Sequence, residues 1–252
     1  MRSHLALVGS LALLSAGARA DEPAPLRPDG VETDCVAAVT ARAPVAASPT
    51  HLPSTLPTGR AIAALEPEPC LTILREAGVV FEARPEAEGV GIPILLRGTL
   101  GGVALESRNH VELHEIMDCR LAVAVLAWAP ALRAAGVRRL LHYSVFRPSA
   151  RVATTGRPSG HAGGLAIDLA VLETDDGTAH DVLTAWEARE RGAPPCEGEH
   201  EEAATSAALR RLVCEAARSE LFQIVLTPHF DRAHQNHLHL ELRPGVPWQY
   251  VR

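Results

Sequence analysis

Between positions 68 and 242, apolar residues recur at the two spacings that regular structure requires. A period of two marks a half-buried strand, and a period near 3.6 marks an amphipathic helix. Residues 70–77 read as a short helix stopped by Gly78. Residues 79–83 and 92–97 read as strands, and 103–107 as a third. Asp118 is placed to cap a helix that runs through Leu121, Val125, Leu126 and Leu132 to Gly136, with Pro130 as a point of kinking. A strand follows over 137–146, then a Gly- and Ser-rich turn over 154–164, then a strand over 165–172. Residues 175–202 are polar and irregular, and read as an excursion over one side of a site. An amphipathic helix over 203–221 and strands over 224–227 and 236–242 complete the pattern. Strands and helices come in blocks, which predicts an α+β fold: an antiparallel sheet with helices packed on one side.

The N-terminal region has a different texture. Arg2, an apolar run over 5–14 and the small residues Ala18 and Ala20 predict a secretion signal over 1–20, cleaved after Ala20. No cysteine follows that point, so no lipid anchor is expected there, and no later run is long enough for a membrane helix. Residues 21–67 are rich in Ala, Pro and Thr without an apolar period and read as a flexible linker, leaving 68–252 as the folded domain. Apolar residues make up 47% of the chain, enough for a core. A formal net charge of −6 argues against nucleic acid as a partner.

Five cysteines in an exported chain are disulfide candidates, and none forms the close pair of a structural zinc site. Cys196 and Cys214 flank one loop and helix and are paired first; Cys70 with Cys119 comes second, leaving Cys35 over. The spacing alone leaves the connectivity open.

Two segments carry candidate chemistry. In the first, Leu165, Ile167, Leu169 and Val171 alternate with Ala166, Asp168 and Ala170. The branched residues face the core, so Asp168 lies on the other face between two alanines. His161 precedes it on a Gly-rich turn able to fold back beside the carboxylate. In the second, Leu238, Leu240 and Leu242 mark the buried face, while His237, His239 and Glu241 share the other. Residues two apart on a strand stand ~6.6–6.8 Å apart, so one of the two histidines can bind a metal while the other works beside it. A lone histidine on a strand is usually a hydrogen-bonding residue, and the motifs gain force only together. Two imidazoles and one carboxylate suit a hydrolytic zinc site with an open fourth position. Such an ion lowers the pKa of a water to ~7 and polarises a carbonyl.

These residues resemble the LAS metallopeptidases, the group of D-Ala-D-Ala peptidases, lysostaphin-type enzymes and the hedgehog signalling domain. Ser159, His161, Gly164, Ala166 and Asp168 match the first part of that pattern, and His237 and His239 the second. More narrowly, the chain is similar to bacterial proteins with an extensin-like C-terminal domain, through His142-Tyr143-Ser144 running to Arg147, and Leu226-Thr227-Pro228 leading through Asp231 and His234 to His239. The resemblance implies an LAS-like fold and Zn2+ held by His161, Asp168 and His239, with His237 as general base or proton shuttle. Arg147 is a candidate for a substrate carboxylate or an oxyanion, against the plain reading of a surface salt bridge. His234 and Ser159 are candidates for a supporting role around the ligands. No acid stands close before His239, Asp231 being the nearest, and the His-x-x-His-x-His run that starts at His234 looks closer to the peptidoglycan endopeptidase branch than to an enzyme whose substrate is the free D-Ala-D-Ala dipeptide. The expected function is an exported zinc hydrolase acting, as endopeptidase or carboxypeptidase, on stem peptides or crosslinks of peptidoglycan in the bacterial envelope, periplasmic or secreted. The rivals are a zinc-containing wall-binding module that cleaves nothing, and a disulfide-held structural protein without metal.

Overall fold

The computed structural model describes residues 58–84, 86–187, 189–198 and 201–252. The signal segment, most of the linker and Cys35 lie outside the described residues. All described residues belong to one compact unit.

Order begins earlier than the composition suggests. Helix α1 (Gly59–Ala63) lies inside the stretch read as linker, capped by the Thr58 hydroxyl. Gly59 donates its N–H to the Glu220 carbonyl, and Ile62 is fully buried in the main core. Ten residues, 58–67, thus belong with the domain; one buried isoleucine was too short a signal among alanines and prolines.

Helix α2 (Pro67–Glu76) leads to strands β1 (Phe81–Ala83), β2 (Pro93–Leu96), β3 (Thr99–Leu100) and β4 (Val103–Ser107). Helix α3 (Glu112–Glu115) and strand β5 (Met117–Asp118) precede the long helix α4 (Cys119–Ala134). Then come β6 (Val137–His142), β7 (Ala166–Thr174), β8 (Ala179–Asp181), α5 (Val182–Ala185), α6 (Ala204–Arg218), β9 (Ile224–Leu226), β10 (Leu238–Glu241) and β11 (Tyr250–Val251). Strands β8 and helix α5 occupy the start of the segment read as irregular, where Val182 and Trp186 turn into the core.

The class is α+β. A small sheet, β1-β2-β5, stands beside a large one ordered β11-β9-β10-β7-β6-β4-β3, with β8 also paired to β7. The strands around the site pair antiparallel, whereas β4–β6 and β9–β11 run parallel. Helix α4 is apolar nearly all round, from Leu121 to Ala129, and such a helix must be buried. It packs against β3, β4 and β6 and against α1, α2 and α6. Asp118 caps it through the Arg120 N–H at 3.0 Å, and Pro130 lies within the helix without ending it.

Both disulfides join the cysteines paired from spacing: Cys70–Cys119 ties α2 to α4, and Cys196–Cys214 ties the polar excursion to α6. Such bonds mark an oxidising, extracytoplasmic compartment. No helix among the described residues is long and apolar enough to cross a membrane.

Strand β7 departs from simple alternation. Ile167 and Leu169 face the core as expected, but the next core residue is Leu172, not Val171. The register against β6 slips where Leu141 meets Val171 and His142 meets Leu169, so Ala170 is an extra residue in the ladder. A bulge of this kind inverts the faces beyond it. Asp168 precedes the bulge and keeps the orientation that alternation assigns it.

Candidate metal centre

His239 and Asp168 are directly opposed across β10 and β7. Their side chains share the face away from the core, and His239 Nδ1 comes 2.9 Å from Asp168 Oδ1. His161 arrives from a 3₁₀ turn, Gly160–Gly163, whose first N–H groups are partly capped by the Ser159 hydroxyl. Gly164 closes the turn in the left-handed region at φ 62°. Gly160 permits the closest approach: a Cβ there would lie 2.6 Å from Glu241 Cγ. The turn brings His161 Nε2 to 3.0 Å from Asp168 Oδ1 and 3.3 Å from His239 Nδ1. All three side chains are buried.

Each imidazole is oriented from behind. His161 Nδ1–H donates to the Val145 carbonyl at 2.8 Å, which leaves its Nε2 lone pair facing the cluster. His239 Nε2–H donates to Glu241 Oε2 at 2.8 Å, which turns its Nδ1 lone pair the same way. Glu241 is itself paired with Arg243. Three acceptor atoms therefore converge without a donor between them, and that arrangement calls for positive charge. One proton on His239 satisfies its contacts with Asp168 and Glu241, but the lone pairs of His161 and Asp168 still face each other. A divalent cation satisfies all three. Ligand atoms on a tetrahedral zinc stand about 3.3 Å apart, so the donor set fits after a shift of a few tenths of an ångström.

The electrostatics agree with shared positive charge. Burial pushes the Asp168 carboxyl up, but its contacts with His161 and His239 outweigh this and hold it well below the usual range. Burial lowers the His239 imidazole, yet Asp168 and Glu241 overcome it and raise the pKa to about 9. Burial also raises the Glu241 carboxyl, and the His239 hydrogen bond brings it below its ordinary value.

The other sequence candidates form the rim. His237 Nε2 lies 3.4 Å from Asp168 Oδ1, while its Nδ1 meets Asn236 Oδ1 at 2.9 Å. Burial pushes this imidazole down to about 4, with His234 helping and Asp168 opposing. The His234 ring centre is 5.0 Å from that of His237 and 5.9 Å from that of His239. Its Nδ1 is held by Asp231 at 2.7 Å, so Asp231 serves His234 and not the cluster. Arg147 is half exposed, with Nη2 3.5 Å from Asp168 Oδ2. Ser159 touches the turn and makes no contact with the ligand atoms. Sequence reading undervalued Glu241, although its place two residues after His239 on the same strand face was the signal. It missed Tyr143 and Asn236 as partners of His237, because their meeting depends on how two loops pack.

The fold and site define an α+β, disulfide-linked protein with a buried His–Asp–His cluster at the end of two antiparallel strands. The chain belongs to the family described as Extensin-like protein C-terminus, which matches residues 68–252. No curated protein and no solved structure matches the chain.

Proposed function

We propose that the chain is an exported zinc metallopeptidase-like hydrolase acting on peptide bonds of peptidoglycan, related to the LAS group. The observation that carries this reading is the convergence of the His161, Asp168 and His239 lone pairs, with the His237 ring beside them. His161, Asp168 and His239 would hold the ion. When bound, zinc supplies Lewis acidity at a carbonyl and lowers the pKa of a water. His237 takes the proton of the attacking water and later delivers it to the leaving amine. Arg147, half exposed at the rim beside Asp168, binds a substrate carboxylate or the developing oxyanion with a fork of donors. The compartment supports the substrate: an export signal and disulfides bring the chain to an envelope in which peptidoglycan is the peptide-bearing polymer. That step is an analogy of setting and fold group.

Digestion of purified peptidoglycan, with and without a chelator and read by mass spectrometry, tests the proposal. Fragments should appear only with metal present. His237→Ala should abolish their release while zinc content stays at about one per chain. If diverse cell walls yield no zinc-dependent fragments but the protein still binds zinc, the chain is a wall-binding module and not a hydrolase.

A further inference from the structure

Asn236 lies next to His237, outside the candidate ligand set, yet its amide is held at both ends. Its Oδ1 faces His237 Nδ1 at 2.9 Å, and its Nδ2 donates to the Tyr143 hydroxyl at 3.3 Å. Tyr143 also stands edge-on to the His237 ring, with centroids 6.2 Å apart. Behind it, the Arg108 guanidinium donates to the same hydroxyl at 3.4 Å and pairs with Asp181 at 3.0 Å. The chain of contacts therefore runs from β8, through the loop after β4 and the residue after β6, to the loop before β10. Four separate segments are thereby linked in series to one imidazole.

We propose that Asn236 is a positioning residue that sets the tautomer of His237. A neutral imidazole carries one N–H. With the Asn236 carbonyl accepting it at Nδ1, the lone pair sits on Nε2, the nitrogen that faces Asp168 and the cluster. The amide has that sense because its Nδ2 donates to the Tyr143 hydroxyl, to which Arg108 also donates. Turning the amide by half a rotation would reverse the outcome. Nδ2 would then donate to His237 Nδ1, the proton would move to Nε2, and the ring could only donate toward Asp168. This assignment rests on the reading of His237 as the group that moves a proton, and it explains why a half-buried asparagine is bound on two sides.

The test uses the full chain loaded with zinc and labelled with nitrogen-15 in histidine. Ring nitrogen shifts distinguish a protonated from an unprotonated nitrogen, and His237→Gln identifies the signals. Wild type should show His237 protonated at Nδ1 and bare at Nε2. Asn236→Leu should scramble that preference, with zinc content and melting temperature unchanged. Its peptidoglycan hydrolysis should fall about 100-fold in kcat with KM held. Asn236→Asp should restore the tautomer and much of the rate, since a carboxylate accepts the same N–H. A proton on Nε2 in wild type, or an unaltered ring spectrum in Asn236→Leu, overturns the proposal. A correct tautomer that Asn236→Leu disturbs, with no hydrolysis by wild type, supports the hold on His237 and removes the hydrolase reading instead.

Discussion

His142 and His239 sit on either side of strand β7, one paired with Leu169 and the other with Asp168. Both are buried, yet they titrate in opposite directions. Burial brings His142 down to about 4, and its Nδ1 has no hydrogen-bond partner. Burial acts on His239 too, but carboxylates on both ring nitrogens raise it to about 9. Desolvation favours the neutral ring in each case, and only paired negative charge reverses it. Beside Leu169 the imidazole is kept neutral by burial; beside Asp168 it is poised to share a positive charge. One residue along β7, and hence one face of the sheet, separates the two.

The comparison breaks most sharply at Asp168. Asp168→Ala removes the acceptor common to His161 and His239, and on the proposed reading zinc content measured on purified protein should fall from about one per chain to a trace. His142→Phe should leave it unchanged. Equal loss in both variants would mean that the cluster is not the metal centre.

A pH series probes the other side. The unfolded His142 titrates near its ordinary 6.5 and the folded one near 4, so between these values the unfolded chain binds more protons. Its contribution to stability is complete above pH 6.5 and is lost as the pH falls toward 4, on the order of 3 kcal/mol. Urea denaturation at pH 7 and pH 4.5 should show this loss, and His142→Phe should lessen it. If the variant loses as much stability as wild type across that window, His142 is not a source of acid sensitivity.

Smaller effects sharpen the picture behind His239. Glu241→Gln keeps the shape of the side chain and removes its charge, and should weaken zinc binding about 10- to 100-fold in a competition assay. Gly160→Ala acts on the same carboxylate indirectly, because the added methyl meets it. Tenfold or less is expected there, as the Glu241 side chain can shift. Unaltered affinity in both variants would remove Glu241 from the account of how His239 is oriented.

Much of this was readable in advance. The cap at Asp118, the stop at Gly136 and the face carrying His237, His239 and Glu241 follow from local spacing, whereas both cysteine pairings were expected first and second among open alternatives. Local rules also place Asp168 correctly, because the bulge at Ala170 lies two residues beyond it. Where local rules fail, the cause is distant. The bulge comes from pairing with β6, α1 is ordered by packing on α4 and by the bond from Gly59 to the Glu220 carbonyl, and β4 runs parallel to β6 because α4 carries the chain back between them.

The amino-acid sequence by itself determined which side chains around the site turn away from the core, since a strand without a bulge alternates with period two. It also determined the chemical types available: two imidazoles and a carboxylate, with a third imidazole beside them. Only the tertiary structure decided that these meet. Placing His239 opposite Asp168, seating Glu241 against Gly160 and joining Asn236 to Tyr143 each require strand register and loop packing. Those arise from contacts among residues far apart in the chain, and no short stretch of sequence encodes them.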